Sequence, residues 1–171
     1  MLFAETERLV ISEMTPDMAE AVHLNSLDAD NRRFVPDEVF ETLQDAQETV
    51  DFLISRYGGE EGPFVYAVLR KEDGKNIGYV QLTPIGNEWE IGYHIAKAYT
   101  RQGYAAEAVR AFLPVMMEKM GLQTVWGICL AENLASRRVM EKCGFVKHYE
   151  GPGTYQGEEK DIICRYRYQK S

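Results

Sequence analysis

No run of about twenty apolar residues occurs in this 171-residue sequence, so no segment reads as a membrane-spanning helix. Positive charge is also in short supply. Nineteen Lys and Arg stand against 27 Asp and Glu, a net charge of −8. Polyanions are gripped by cations that neutralise phosphates, so a nucleic-acid partner is not expected. An acidic chain suits a cationic or amine-bearing ligand better, although surface acidity alone also serves solubility. Cysteine is scarce too. Cys129, Cys143 and Cys164 form no CxxC pair and are odd in number, which argues against a metal centre or a disulfide framework. That usage points to a reducing, cytoplasmic setting. The opening stretch MLFAETERLVISEM is interrupted by Glu5 and Glu7 and does not read as a signal peptide. No repeat, linker or low-complexity tract breaks the chain, so one domain over residues 1–171 is expected.

Hydrophobic periodicity supplies the elements. Leu9, Val10 and Ile11 mark a strand within Glu7–Met14, and Thr15 with Pro16 starts a helix running to about Leu27. Asp28 to Glu41 has no clean period and reads as a loop with a short helix. Leu43, Ala46, Val50, Leu53 and Ile54 place a second helix over Thr42–Tyr57. Strands follow at Phe64–Arg70, Asn76–Ile85 and Glu88–Ile95. In the last of these, Trp89, Ile91, Tyr93 and Ile95 face one way, and Glu88, Glu90, Gly92 and His94 the other. A long amphipathic helix spans Tyr104–Met120, with Pro114 inside it. Thr124–Leu130 is a strand and Asn133–Lys142 a helix stopped by Gly144. Strands near Phe145–Tyr149 and Asp161–Tyr168 close the chain. The expected class is mixed α/β, about seven strands with four helices.

Two passages carry chemistry. In EIGYHIAKAYTRQGYAAEA a strand leads through a loop to Gln102 and Gly103, which open the long helix. The first amides of a helix lack internal partners and lie at the positive end of its dipole, a natural seat for a phosphate or pyrophosphate. Gly103, Ala105 and Ala106 are small enough for a phosphate to approach the backbone, and Arg101 adds a charged donor. A glycine that merely starts a helix is the alternative. In AENLASRRVMEKCGF, Asn133 and Ser136 share one helix face; Asn133 alone could simply be the N-cap.

The first passage resembles motif A of the GNAT superfamily, Q/R-x-x-G-x-G/A. Thr100, Arg101, Gln102, Gly103, Tyr104 and Ala105 occupy its six places, and Thr100 departs from the usual Gln or Arg. GYAAEA is similar to the RimJ/RimL-like ribosomal-protein alanine N-acetyltransferase branch. The second passage resembles the family's following motif, N-x-x-S/A-x6-G-F, through Asn133, Ser136, Gly144 and Phe145. The resemblance covers nearly the whole chain.

It implies the GNAT fold, with a central, largely antiparallel sheet, and acetyl-CoA as cosubstrate. The pyrophosphate would lie on Arg101, Gln102, Gly103, Tyr104, Ala105 and Ala106, and the pantetheine arm on Asn133. The cofactor would enter between the fourth and fifth of the seven strands, held by backbone amides near His94, Ile95 and Ala96. The reaction implied is acetyl transfer to a primary amine, either a protein N-terminus or a small molecule. The amine must lose a proton and the thiolate must gain one. Glu90 is the leading candidate for the base and Glu88 the second, against a solvated strand carboxylate in each case; His94 is a further candidate. Many members of the family use a tyrosine as the acid, and Met140 stands in its place here. Ser136 is the substitute the branch implies, with Tyr93, Tyr104 and Tyr155 as stand-ins. Asp37, Glu38 and Glu41 either line an acidic acceptor cleft or form a solvated loop. A homodimer is common in the branch. A catalytically degenerate acyl-CoA sensor is the rival reading.

Overall fold

Alternation of branched and aromatic side chains sets the sheet of the computed structural model, which describes residues 1–171. Strands β1 (Leu2–Glu5), β2 (Leu9–Glu13), β3 (Phe64–Arg70), β4 (Asn76–Ile85), β5 (Glu88–Ile95), β6 (Thr124–Leu130), β7 (Val146–Tyr155) and β8 (Glu158–Gln169) form one sheet. Their order is β1-β2-β3-β4-β5-β6-β8-β7. Neighbours are antiparallel except β5 and β6, which are parallel. The helices are α1 (Ala19–Asn25), α2 (Ala29–Phe34), α3 (Leu43–Arg56), α4 (Tyr104–Met120) and α5 (Leu134–Lys142).

The mixed α/β class is as expected, and β3 to β6 and α4 have the expected bounds. Three details differ. Leu2–Glu5 adds an eighth strand by pairing with β2. The short helix expected within Asp28–Glu41 is α2, capped by Asp28 Oδ1 accepting from the Asn31 amide at 2.8 Å, and it brings the helix count to five. Thr15 does not cap a helix. Its hydroxyl turns to Asp17, and Pro16–Met18 form a 3-10 turn before α1. The last two strands also run longer than expected, because they pair as one hairpin turning at Gln156 and Gly157, both with positive φ.

The sheet separates two apolar clusters, and β3 supplies both by its period of two. Phe64, Tyr66 and Val68 face α4, where Ala108, Val109, Phe112, Leu113, Met116 and Met117 are buried. Val65 and Ala67 face α1 and α3 through Ala19, Ala46, Val50 and Leu53. α4 continues through Pro114. β4 and β5 approach closely at Gly78, where a Cβ atom would lie 1.9 Å from the His94 carbonyl oxygen. Gly78→Ala is therefore expected to destabilise the fold by roughly 1–3 kcal/mol, read as a lower urea midpoint.

Candidate active site

β5 and β6 meet at a single register point, Glu90 opposite Trp126. On its other edge β5 is paired with β4 from Glu88 to Ile95. Beyond Glu90 the parallel strands part, and a cleft of about 1200 Å³ opens there. It is lined by β5, the following loop, the first turn of α4, α5, the β7–β8 tip and the segment around α2. The gap joins the two faces of the sheet. Glu90 lies on the face covered by the α1–α3 region, while Tyr93 packs with the cluster under α4.

At one end of the cleft the backbone is turned for anions. Arg101 and Gly103 both adopt left-handed conformations, with φ of 64° and 82°. Such a curl brings successive amides to one side. The amides of residues 101–106 have no backbone acceptor, as the start of a helix requires. Arg101, Gly103, Tyr104, Ala105 and Ala106 line the cleft, and Arg138 and Lys142 approach the same end from α5. Gln102 does not line it; its carbonyl accepts from Arg8 Nη2 at 2.9 Å.

Arg8 is a residue that the sequence reading missed. Its Nε donates to Glu107 Oε1 at 2.8 Å and its backbone amide to Glu107 Oε2 at 3.1 Å. Burial opposes the charge on Glu107, but hydrogen bonds from Thr6 and Arg8 hold its carboxyl below the usual range. The β1–β2 turn is thus tied to the first turn of α4 and to the loop before it. Nothing in the sequence places Arg8 beside Glu107, 99 positions away.

Of the three amides expected to be free on β5, Ala96 is not. It donates to Ile77 at 2.7 Å, closing the β4 ladder. Alternation in that bulge-free ladder turns the His94 amide to β4 as well, and leaves Ile95 aimed at the gap. The His94 ring is held elsewhere. Its Nε2 lies 2.9 Å from the Asn25 carbonyl oxygen and 3.5 Å from Asp28 Oδ2, and its ring packs on Tyr79.

Of the two β5 carboxylates, Glu90 is the one that lines the cleft. Burial, then the nearby charge of Glu38, pushes it up to about 7. Glu88 sits exposed at the β4–β5 turn, opposite Ile85 and outside the cleft. Asp37 and Glu38 line the cleft, whereas Glu41 lies outside it and pairs with Arg32. Tyr155 also lines it; its hydroxyl donates to the Phe34 carbonyl at 2.8 Å, joining the hairpin tip to α2.

Across the gap, Asn133 Oδ1 caps α5 by accepting from the Ser136 amide at 3.2 Å. Both side chains line the cleft. The Tyr93 hydroxyl lies 2.9 Å from both the carbonyl and Oγ of Ser136. Donating its one proton to the carbonyl leaves it to accept from Oγ. Burial pushes Tyr93 far above the usual phenol range and Cys129 up to about 12, so both keep their protons near neutral pH. Tyr104 is buried beneath the Arg8 guanidinium, 4.2 Å from its ring centroid. Met140 is 2% exposed and packs onto Gly127, where a Cβ would stand 2.2 Å from its sulfur. This methionine fills core space.

Comparison with known proteins identifies the family and the fold. Residues 8–146 match the family described as Acetyltransferase (GNAT) domain. The uncharacterized N-acetyltransferase YnaD of Bacillus subtilis (strain 168) is 31% identical over 141 residues, covering 81% of this chain and 79% of YnaD. An acetyltransferase (GNAT family) structure from Bacillus anthracis superposes with a TM-score of 0.83 at 27% identity, over 98% of both chains. RimL, titled a ribosomal L7/L12 alpha-N-protein acetyltransferase in complex with coenzyme A, superposes at 0.85. It shares 15% identity over 99% of this chain and 98% of its own, and so bears on the fold alone.

The raised Glu90 carboxyl has a consequence for stability. A group lifted from 4.5 to about 7 on folding stabilises the native state below its ordinary value and loses that contribution as pH rises through 7. Glu90→Gln should therefore gain stability relative to the parent protein as pH rises from 5 to 8 (roughly the window between those two values). Urea midpoints across that range test it. A difference that does not change with pH would contradict the burial of this charge.

Proposed function

The chain belongs to the GNAT acetyltransferase family, and from that premise we propose that it transfers the acetyl group directly to a primary amine, with Glu90 as general base. Acetyl-CoA is the cosubstrate, and it supplies an acetyl group activated as a thioester. One observation carries the base assignment: Glu90 stands where β5 leaves β6, with its carboxyl pushed up to about 7. A base balanced near neutral pH can hold an amine's proton without being permanently protonated or weakly basic.

The residues present fit the cosubstrate. The unpaired amides of residues 101–106 suit a pyrophosphate, and Arg101, Arg138 and Lys142 suit its charge and that of a further phosphate. The pantetheine arm suits the gap, with the Ile95 amide on one side and Asn133 on the other. Tyr93 and Ser136 form the hydroxyl pair on the thiol side of the gap. Ser136 Oγ can turn its hydrogen bond from Tyr93 to a developing thiolate, which stabilises that charge while the hydroxyl keeps its proton. Tyr104 and Tyr155 are left with structural roles.

The acceptor end is the acidic end. Asp28, Asp30, Asp37 and Glu38 line the cleft there, which suits a protonated amine approaching Glu90. A protein N-terminus, the acceptor named for the fold neighbour RimL, and a small-molecule amine both fit this chemistry. The RimJ/RimL-like branch is the placement we favour.

Glu90→Gln should lower kcat for acetyl transfer by about 10²–10⁴-fold, while coenzyme A affinity is retained. Thiol release from acetyl-CoA against a panel of N-terminal peptides, polyamines and amino acids measures it and identifies the acceptor class. Gly103→Glu should abolish coenzyme A binding in calorimetry while the circular dichroism spectrum is unchanged, because a side chain at φ 82° strains the turn that aligns these amides and draws a carboxylate to Arg8. Undiminished affinity in that variant would refute the loop assignment.

A further inference from the structure

Glu38 is fixed in the cleft more firmly than a loop acid needs to be. Its Oε1 accepts from Gln81 Nε2 at 2.8 Å, and its Oε2 accepts from the Tyr79 hydroxyl. Its backbone is pinned as well. The carbonyl accepts from the buried Asn31 side chain at 3.2 Å, and the amide donates to Val35 at 2.9 Å. Asn31 Nδ2 also bonds the Ser26 carbonyl, so α2 carries the whole turn against α1. Gln81 reaches Glu38 by lying across β5 at its register partner Gly92. A Cβ there would be 2.6 Å from the Gln81 amide nitrogen. A glycine in the middle of β5 therefore has a packing reason connected to Glu38 rather than to a turn.

We propose that Glu38 is a positioning residue for the transfer: clamped by Tyr79 and Gln81 beside Glu90, it holds a fixed negative charge that sets the pH at which the base is free to take a proton. This rests on the reading of Glu90 as the base. Tyr79, Gln81 and Thr83 of β4 share one sheet face with Glu90, Gly92 and His94 of β5, so the clamp and the base stand on the same surface.

The groups around Glu90 leave one dominant charge. From β6 comes Cys129 and from the hairpin tip Tyr155, both kept neutral by burial, the thiol at about 12 and the phenol above its usual range. Tyr79, whose hydroxyl is given to Glu38, is held neutral by burial and by that carboxylate. His94 is engaged with Asn25 and Asp28. Asp37 lies on the same turn but is exposed, Lys97 is paired with Asp30 in solvent, and Arg165 of β8 lines the cleft with its guanidinium over the Tyr149 ring. Burial is the larger reason for the raised Glu90 carboxyl, and Glu38 is the charged one. A like charge disfavours ionisation of its neighbour. Neutralising Glu38 must then let Glu90 ionise at lower pH.

The test is a carbon-detected NMR titration of the full chain labelled at glutamate carboxyls, with the Glu90 signal assigned by its loss in Glu90→Gln. The parent midpoint should lie near 7. Glu38→Gln should lower it by roughly half a pH unit or more, and Glu38→Asp, which keeps the charge, should restore most of the shift. The acid limb of the pH–rate profile for acetyl transfer should move in the same direction. An unchanged midpoint in folded Glu38→Gln overturns the proposal. Should that variant fail to fold, Glu38→Ala removes the same charge, and a Glu90 midpoint unmoved there overturns the proposal. The base assignment fails separately: full activity of Glu90→Gln would remove Glu90 from the reaction while leaving the NMR shift intact.

Discussion

The failure of two parallel strands to stay together governs this architecture. β5 and β6 touch at Glu90 and Trp126 and then diverge, whereas β5 remains paired with β4 along its length. Backbone groups in the interior of a sheet are costly to leave unpaired, so a gap of this kind needs polar groups or a ligand to complete it. The same divergence connects the two faces of the sheet. Without it Glu90 and the Tyr93–Ser136 pair would be separated by the sheet; with it they border one cleft. In the proposed chemistry those are the proton-accepting and thiolate-stabilising sides of one transfer.

Around the gap, charge is sorted along the cleft. The end formed by the α4 start carries unpaired amides with Arg101, Arg138 and Lys142, and the end under α2 carries Asp28, Asp37 and Glu38. In the proposed chemistry this sorting directs a cosubstrate bearing phosphates and an acceptor bearing an amine to opposite ends. The anion end is held by the Arg8–Glu107 clamp and the acceptor end by the Tyr155 and Asn31 hydrogen bonds. The Arg8–Glu107 and Tyr155–Phe34 contacts join residues far apart in the chain, while the Asn31 contact closes its turn locally.

What the sequence reveals and conceals follows the range of the interactions. Local periodicity is enough for β3 to β6 and α4, because a half-buried strand or helix writes its environment into its own pattern. The strand–loop–helix passage through Gly103 is legible for the same reason: orphan amides are a property of the helix end itself. Long-range pairing is not written locally. β1 is four residues long and is a strand only because β2 accepts it. Glu90 was readable as a candidate through alternation, but its distinction from Glu88 depends on burial at the strand gap. The pairing of the Ala96 amide with Ile77 depends on where β4 ends. Glu38 could not be separated from a solvated loop acid, since its partners Tyr79 and Gln81 lie 41 and 43 positions away. Met140 at the place of the expected tyrosine is explained only by its packing on Gly127.

The central claim is that the parted strands and the α4 start together receive coenzyme A. Backbone amide NMR spectra recorded with and without coenzyme A test it most directly. The account predicts large shifts and new exchange protection confined to residues 101–106, Ile95 and Asn133. Perturbations that leave the 101–106 amides unchanged and cluster elsewhere on the chain would contradict it.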